Sequence, residues 1–216
     1  GRVGCFVAEQ LASIGREVAI FEEQGTIGEP FHCAGLVTPR VFDISKCSQV
    51  GIVQNKIYGA FIHSPSGLTL KIGEKKVHGL VINRQKFDEH IAQKAEKAGA
   101  NLLLKHKVVS AKKQEKRITL TIRKNDQMLT VRCNILIGAE GPHSNIRKIF
   151  RFPPPIEMLQ GFGAELSDTM LNPHFVHIFL GRSIAPGFFA WIIPTNIHGT
   201  TARIGLCIGK QSQYKL

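Results

Sequence analysis

Apolar and polar residues recur along the chain with two periods, and these periods predict a mixture of helices and strands. Helical spacing predicts a helix over 5–14 that ends at Gly15. A second helix is predicted over 84–98, with Asn83 as its N-cap and Gly99 just beyond its end. Its buried stripe is predicted to consist of Phe87, Ile91, Ala95 and Ala98.

Alternating positions and short apolar runs predict strands over most of the remaining chain. The apolar run Ile135–Ile137 predicts a strand that is buried on both faces. A glycine- and proline-rich stretch over 25–35 predicts a long irregular loop, and such loops are often functional. The other predicted strands cover 17–21, 58–63, 68–72, 101–110, 118–122, 129–133 and several runs after 160. The pattern as a whole predicts an α/β fold.

The first residues carry a candidate nucleotide-binding turn. Gly1 to Gly4 run directly into the first predicted helix, and Glu22 follows the next predicted strand. Turn glycines, a helix, a strand and an acid about 20 positions on form the second half of the Rossmann fingerprint. Glycines let the backbone approach a pyrophosphate, and a helix N-terminus offers it free N–H groups. Because no first strand or first glycine precedes Gly1, we expect the sequence to be a fragment.

Composition excludes several other classes of protein. The 43% hydrophobic content and the mean hydropathy of −0.01 are typical of a soluble globular chain rather than a disordered one. The five cysteines form no CxxC pair, which argues against a zinc site or a disulfide scaffold and favours a reducing compartment. His174 and His177 lack further ligands nearby, so no metal site is predicted.

Basic residues are concentrated in one part of the chain. Fifteen Lys or Arg and five Asp or Glu lie between Lys71 and Lys124, so this block supplies +10 of the net charge of +12. It is either a solvated face or a surface for anionic lipid or nucleic acid. No aromatic residue interleaves the cations of 105–124, so a base-stacking surface is not predicted, and we expect no nucleic-acid partner.

Four further stretches of the chain carry candidate motifs. The stretch 137–148 (IGAEGPHSNIRK) is similar to the pattern GADGxxSxVR, with Glu140 in place of Asp, and Arg84 before Phe87 and Asp88 fits the pattern RxxFD. The stretch 27–35 (IGEPFHCAG) contains a Cys-Ala pair, and the stretch 185–194 (APGFFAWIIP), with 205–207 (GLC), is similar to YxWxFP…GxG. Together these motifs resemble those of the geranylgeranyl reductase family, within the p-hydroxybenzoate hydroxylase superfamily of flavoproteins, in which the Cys-Ala pair lies beside the flavin.

The last of these motifs departs from the family at three positions. Phe189 stands for Tyr, Ile193 for Phe and Cys207 for the final Gly. Without the resemblance, this stretch would be interpreted as a plain core strand, and 137–148 as an ordinary strand-turn-helix corner. The thiol of Cys33 is either a packing residue or tied to the position of the flavin.

The resemblance implies a Rossmann-like FAD-binding domain of the glutathione reductase type, interleaved with a β-sheet substrate domain. The first would comprise 1–50 and 80–155, and the second 51–79 and 156–216, both incomplete. The implied cofactor is FAD, and the implied cofactor-binding residues are Gly1, Val3, Gly4, Glu22, Cys33, Ala34, Arg84, Val108, Glu140 and Gly141. The implied substrate-binding residues are Phe189, Trp191, Ile193, Pro194 and Gly205, and no catalytic residue is assigned.

The implied activity is the FAD-dependent saturation of C=C bonds in geranylgeranyl and related isoprenoid chains during archaeal-type membrane lipid synthesis. An external donor, NAD(P)H or a ferredoxin-like protein, would reduce the flavin. The expected location is cytoplasmic, peripheral on the inner face of the membrane. The alternatives are an FAD-dependent monooxygenase of the same superfamily and an inactive flavoprotein fragment, and we expect this fragment alone to be inactive.

Overall fold

The structure is a computed structural model that describes residues 1–29 and 33–209. Pro30, Phe31 and His32, which belong to the predicted Cys-Ala loop, lie outside the described residues. Contacts group the described residues into two compact units, one of 1–29 with 88–155 and one of 33–87 with 156–209. The sequence-based division differs, since it places 33–50 and 80–87 with the FAD-binding part. Which unit binds FAD and which binds substrate stays a prediction.

Helices and strands follow one another through the described residues in a mixed order. The helices are α1 (Arg2–Ser13), α2 (Arg40–Ser45), α3 (Arg84–Lys97) and α4 (Asn145–Ile149). The strands are β1 (Ala19–Phe21), β2 (Leu36–Val37), β3 (Val53–Ile57), β4 (Gly59–His63), β5 (Thr69–Gly73), β6 (Gly79–Ile82), β7 (Asn101–Leu103), β8 (His106–Gln114), β9 (Arg117–Lys124), β10 (Gln127–Cys133), β11 (Gln160–Leu166), β12 (Phe175–Phe179), β13 (Ala190–Pro194) and β14 (Ala202–Ile208). Within the described ranges, no helix is both long enough and apolar enough to span a bilayer.

Local sequence explains the ends of the two long helices. In α1, Gly15 adopts a φ of +76°, which ends the helix at little steric cost. In α3, the Asn83 side chain accepts a hydrogen bond from the Lys86 N–H at 3.0 Å, as predicted for an N-cap. Gly99 follows α3 with a φ of +104°. Both predicted helices are therefore confirmed.

The first unit contains two small sheets. Strands β1 and β7 pair in parallel, and β10, β9 and β8 form an antiparallel meander. One face of the meander is apolar because alternate residues of its strands point inward. Leu120, Ile122 and Ala111 on this face pack with Ile146 of α4 into a buried cluster.

The second unit contains a six-stranded sheet, in the order β11-β14-β13-β12-β4-β5, and a three-stranded sheet, in the order β2-β6-β3. In the larger sheet, β12 and β4 are parallel and the other neighbours are antiparallel. Ile57 and Val81 of the smaller sheet pack with Val176 and Ile193 of the larger one. This cluster is the core between the two sheets.

The predicted buried strand over 135–137 is wrong. The segment is not part of any strand, and Ile135 and Ile137 are 78% and 49% exposed. A strand needs a neighbour for its backbone N–H and C=O groups, and no described strand pairs with this segment. Apolar sequence alone cannot supply that neighbour.

Candidate functional site

Helix α1 begins at the candidate nucleotide-binding turn. Gly1 is its N-cap without a side-chain cap bond, and no acidic residue lies in its first turn. A Cβ atom added to Gly1 would meet nothing within 4 Å, and Val3 is 63% exposed. Unpaired N–H groups at a helix start attract anions such as a pyrophosphate, so these residues fit the group predicted for them.

Glu22 lies beside this helix start. Its Oε2 atom is 2.9 Å from the nitrogen of Gly1, and its Oε1 accepts a hydrogen bond from the Gln24 N–H at 3.1 Å. Only 18% of the side chain is exposed. Strand β1 ends at Phe21, so the carboxylate of Glu22 stands at the carboxyl end of a parallel strand, where α/β sheets bind ligands.

The corner around Glu140 belongs to the same unit. Glu140 Oε2 accepts a hydrogen bond from the Ile146 N–H at 2.9 Å and another from the Ser144 hydroxyl, and Ser144 itself caps α4. Gly141 has a φ of +78°, which its lack of a Cβ permits. Glu140 therefore organises the start of α4, a role that the longer side chain fulfils without the usual Asp.

Two other predicted cofactor residues occupy packed positions in the first unit. A Cβ atom on Gly4 would lie 3.2 Å from the Ala139 Cβ, so α1 and the Glu140 corner are in close contact there. Val108, in β8, is half-buried against the Leu120–Ile122 cluster, beside a bulge that separates it from Ser110. The structure thus brings Gly1, Gly4, Glu22 and Glu140 into one unit.

The remaining predicted cofactor residues meet in the second unit. Arg84 is only 6% exposed, and its Nη1 donates a hydrogen bond to Cys33 Sγ at 3.3 Å. The Gly35 N–H also donates to Cys33 Sγ, at 3.4 Å. Ala34 packs against the core cluster that contains Ile193. The thiol of Cys33 is therefore held by neighbours that include a predicted flavin contact.

The predicted substrate residues form one patch on β13 and β14. Trp191 and Gly205 are directly paired across the two strands, and a Cβ atom on Gly205 would lie 2.4 Å from the indole. Phe189 approaches Trp191 edge-on, with ring centroids 6.1 Å apart. Ile193 and Pro194 are almost fully buried, so they present no open surface to a ligand in this structure.

Cys207 extends the patch on the same face of β14. Burial raises the pKa of its thiol above the ordinary value, which disfavours the thiolate further. A Cβ atom on Gly161 of β11 would lie only 3.2 Å from this sulfur. A neutral thiol at the position of the family's glycine preserves an apolar surface but fills more space.

Sequence reasoning missed Arg203, which lies in β14 and is only 6% exposed. Its Nε donates to Glu165 Oε1 at 3.0 Å and its Nη2 to Gln54 Oε1 at 2.9 Å. Its Nη1 donates to the carbonyl oxygens of Ile82 at 3.0 Å and Ala34 at 3.3 Å. Arg203 shares the strand parity of Gly205 and Cys207, but its acceptors lie 38 to 169 residues away along the chain, so no local pattern indicated its burial.

An apolar cavity of about 430 Å³ also escaped sequence analysis. It lies within the second unit and is lined mainly by backbone and aliphatic side chains, including Leu36, Ile57, Ala60, Ile72 and Val176. Ile57 and Val176 also belong to the core cluster against which Trp191 packs. The cavity and the predicted substrate patch are therefore linked by shared neighbours.

The outer face of the β8-β9-β10 meander is basic. Lys107 pairs with Arg123, and Lys112 lies in the same cross-strand row as Arg132. Lys107 forms an ion pair with Glu23 at 2.6 Å. Further exposed cations are Lys113 near the end of β8, Lys116 in the turn and Arg117 at the start of β9, and we refer to 112–117 as the basic hairpin.

Comparison with known proteins identifies the family of the chain. Residues 1–214 match the sequence profile of the FAD binding domain family. A digeranylgeranylglycerophospholipid reductase from Methanocaldococcus jannaschii is 26% identical over 210 residues, which cover 95% of this chain and 53% of the relative. The chain spans about half the length of the curated relatives it matches.

Solved structures share the fold. A geranylgeranyl bacteriochlorophyll reductase-like protein from Thermoplasma acidophilum superposes with a TM-score of 0.85 at 23% identity, covering 96% of this chain and 54% of that protein. Halogenase PltM, solved with phloroglucinol and FAD, gives a TM-score of 0.75 at 14% identity, covering 100% of this chain and 52% of that protein. The predicted fold class, the family resemblance and FAD as the cofactor are confirmed.

Proposed function

The chain belongs to the FAD binding domain family, and from this premise we propose that it is part of a reductase that saturates C=C bonds of isoprenoid lipid chains. The substrates would be geranylgeranyl and related chains of membrane lipids, of the archaeal type. FAD would be reduced by an external donor, NAD(P)H or a ferredoxin-like protein. The named relatives of this chain support the proposal by their similarity.

One observation carries the proposal. Ala34, from the loop predicted to approach the flavin, and Trp191, from the predicted substrate patch, pack against the same buried cluster. Residues implied for cofactor and for substrate therefore converge within the second unit. Hydride transfer to an alkene requires such convergence, because an isolated alkene is a poor acceptor and depends on close positioning.

In this proposal, Gly1, Val3, Gly4 and Glu22 hold the adenosine and pyrophosphate end of FAD, while Cys33, Ala34 and Arg84 lie near its ring. Once bound and reduced by the donor, FAD would supply a hydride to one alkene carbon and return to its oxidised form, and the neighbouring carbon would take up a proton. The buried side chains around Trp191 exclude water and fix the apolar chain by shape and dispersion.

The apolar cavity supports a prenyl substrate. Its lining offers methyl and methylene groups and few polar atoms, so it can stabilise a hydrocarbon segment without leaving polar groups unpaired. A polar aromatic substrate of a monooxygenase would instead require hydrogen-bond partners at its hydroxyl groups.

The direct test is the mass of the lipid after reaction. The intact protein, given reduced donor and a geranylgeranyl lipid without oxygen, should increase the lipid mass by about 2 Da for each reduced double bond. An unchanged prenyl lipid, together with oxygen-dependent addition of about 16 Da to an aromatic compound, would favour the monooxygenase. That alternative is kept because Phe189, Ile193 and Cys207 depart from the reductase pattern.

We also propose that the basic hairpin holds the protein at the anionic inner surface of a membrane, where its lipid substrate lies. Each Lys or Arg close to such a surface contributes about 1 kcal/mol. Neutralising the four hairpin cations should therefore release the protein from anionic vesicles but leave neutral vesicles unaffected, as measured by co-sedimentation. The variant carries Gln at Lys112, Lys113, Lys116 and Arg117.

A matched control removes the same charge from scattered sites. Gln at Arg16, Lys46, Lys75 and Arg182 changes the net charge equally, and these residues are all exposed. Equal retention of the hairpin variant and the wild type on anionic vesicles would reject the membrane surface. Equal release of both variants would show that net charge, and not the hairpin, drives binding.

A further inference from the structure

The guanidinium of Arg203 is a buried charge shared by four segments of the second unit. Its partners are the Glu165 carboxylate on β11, the Gln54 amide on β3, the Ile82 carbonyl at the end of β6 and the Ala34 carbonyl in the loop before β2. Of these partners, Glu165 is a carboxylate and its side chain is 67% exposed. The other three acceptors are neutral oxygens, so these hydrogen bonds fix the position of the segments that carry them as well as satisfying the charge.

The loop of Cys33, Ala34 and Gly35 is shaped around this guanidinium. A Cβ atom on Gly35 would lie 2.2 Å from Arg203 Nη1 and 2.9 Å from the Ile82 carbonyl oxygen. Gly35 also has a φ of +71°, and its N–H donates to Cys33 Sγ. Arg203 therefore occupies the space that any other residue at position 35 would need.

We propose that Arg203 is a positioning residue that fixes the 33–35 loop and so determines how Cys33 and Ala34 face the flavin ring. The inference rests on the proposed function, since only the family resemblance places this loop beside the flavin. Arg203 itself need not touch the flavin. It acts by holding the Ala34 carbonyl.

The geometry requires an arginine. Nε, Nη1 and Nη2 of one planar group donate in different directions to Glu165, to the Ala34 and Ile82 carbonyls, and to Gln54. A lysine keeps the charge but concentrates its donors on one atom, so it cannot reach these separated oxygens together. Arg203→Lys should therefore keep the protein folded while the loop loses its fixed position.

Arg203 also links the loop to the predicted substrate patch. Arg203 on β14 is the direct cross-strand partner of Ile193 on β13. It also lies two residues before Gly205, on the same side of β14. Trp191 and Ala34 pack on the cluster that includes Ile193. A displacement of β14 caused by a bound chain would therefore reach the Ala34 carbonyl through a single side chain.

The test compares Arg203→Gln, Arg203→Lys and Glu165→Gln in the intact protein. Glu165→Gln is the matched control, because it removes the counter-charge but keeps an oxygen acceptor for Nε. The first measurement is the alkylation rate of Cys33 by iodoacetamide, followed by peptide mass spectrometry to separate it from the other cysteines. The second is the absorption spectrum of bound FAD.

Arg203→Gln should raise the Cys33 alkylation rate about tenfold, because the loop opens when a charge-assisted bond is lost. It should also shift the flavin spectrum. Arg203→Lys should show both effects to a smaller extent, and Glu165→Gln neither. Wild-type alkylation rates and spectra in a folded Arg203→Lys variant would overturn the proposal, even if its thermal stability were lower.

A double-mutant cycle keeps the proposal falsifiable if Arg203→Gln folds poorly. Gly35→Ala should raise Cys33 alkylation strongly in the wild type and less in the Arg203→Lys background, where the clash with Nη1 is gone. The strain of an alanine at the positive φ of position 35 is present in both backgrounds, so it cancels when the two effects of Gly35→Ala are compared. If Gly35→Ala raised the Cys33 alkylation rate by the same factor in both backgrounds, the inference would be overturned. None of these readouts depends on whether the protein reduces a prenyl chain, so they test the inference separately from the proposed function.

Discussion

Gly205 shows how one missing side chain shapes the predicted substrate patch. The indole of Trp191 lies over its Cα, and the Phe162 carbonyl oxygen would be 2.7 Å from an added Cβ. Neither neighbour can withdraw easily, since Phe162 is held by its backbone and Trp191 is packed on the core. The position therefore accepts only glycine without a shift of a strand.

Gly205→Ala should destabilise the protein by about 1–3 kcal/mol, as overpacking does elsewhere. Chemical denaturation measures this change, and the fluorescence of Trp191 reports it directly because the chain has one tryptophan. Gly163→Ala is the matched control, because Gly163 on β11 is the cross-strand partner of Gly205. A Cβ atom added to Gly163 would lie no closer than 3.4 Å to its nearest neighbour, the Ile204 carbonyl oxygen. Equal losses of stability in both variants would contradict the role of the indole.

His177 is a second residue whose surroundings set its chemistry. Its Nδ1 lies 3.0 Å from His63 Nε2, while its own Nε2 is buried without a hydrogen-bond partner among the described residues. Phe61 and Phe179 flank the ring. Burial lowers the pKa of His177 below its ordinary value of 6.5, and the neighbouring His63 lowers it further.

The lowered pKa predicts that the protein loses stability in acid. Above pH 6.5, His177 is neutral in both the folded and the unfolded chain. As the pH falls below that value, the unfolded chain takes up the proton first, so the free energy of unfolding decreases until the folded pKa is passed. Urea unfolding at a series of pH values between 7 and 5 measures this slope.

The slope should be smaller in His177→Gln, which cannot titrate but can still bond to His63. His177→Phe controls for packing, because it keeps a ring and also cannot titrate. A wild-type slope in both variants would show that another group causes the acid sensitivity.

For individual residues, the sequence showed where the motifs lie but not which atoms their side chains contact. The resemblance selected Cys33, Arg84 and Trp191, but no pattern shows that Arg84 bonds to the Cys33 sulfur. Arg203 was missed because an arginine inside a strand is normally interpreted as exposed. Its burial depends on acceptors 38 to 169 residues away in the chain, which no local pattern contains.

Among the elements, α3 was predictable because its signals are local. Its cap, its apolar stripe and its terminal glycine all lie within one short window. The cap and the glycine were found in place, and Phe87, Ile91 and Ala95 are buried, but Ala98 lies just beyond the helix and is only half-buried. The segment 135–137 was not predictable in the same way. A strand depends on a partner from elsewhere, and apolar residues without one remain exposed.

Asn83→Ala tests the cap of α3. The change removes the acceptor for the Lys86 N–H and should cost about 1 kcal/mol of stability, with faster amide exchange in the first turn of the helix. Asn83→Asp is the control, since it keeps a side-chain oxygen and should remain close to the wild type. An unchanged exchange rate in the first turn of Asn83→Ala would mean that tertiary contacts, and not the cap, hold the helix start.

For the whole molecule, the sequence predicted the fold class, the family and the cofactor, because several weak motifs had to agree over nearly the full length. It could not predict how contacts divide the chain. Residues 33–50 follow the nucleotide-type segment in sequence, but they belong with the sheets of the second unit. The backbone pairing of β2 with β6, whose residues lie 43 or more positions apart, joins this segment to the second unit.

The central claim is that this chain supplies residues that hold FAD. Spectrophotometric titration of the intact, flavin-depleted protein with FAD tests it most directly, comparing the wild type with Glu22→Gln and with the neighbouring control Glu23→Gln. We predict equimolar binding by the wild type and by Glu23→Gln, and affinity about tenfold weaker for Glu22→Gln, which loses a charged acceptor. Absence of saturable FAD binding, or equal affinity in all three proteins, would contradict the account.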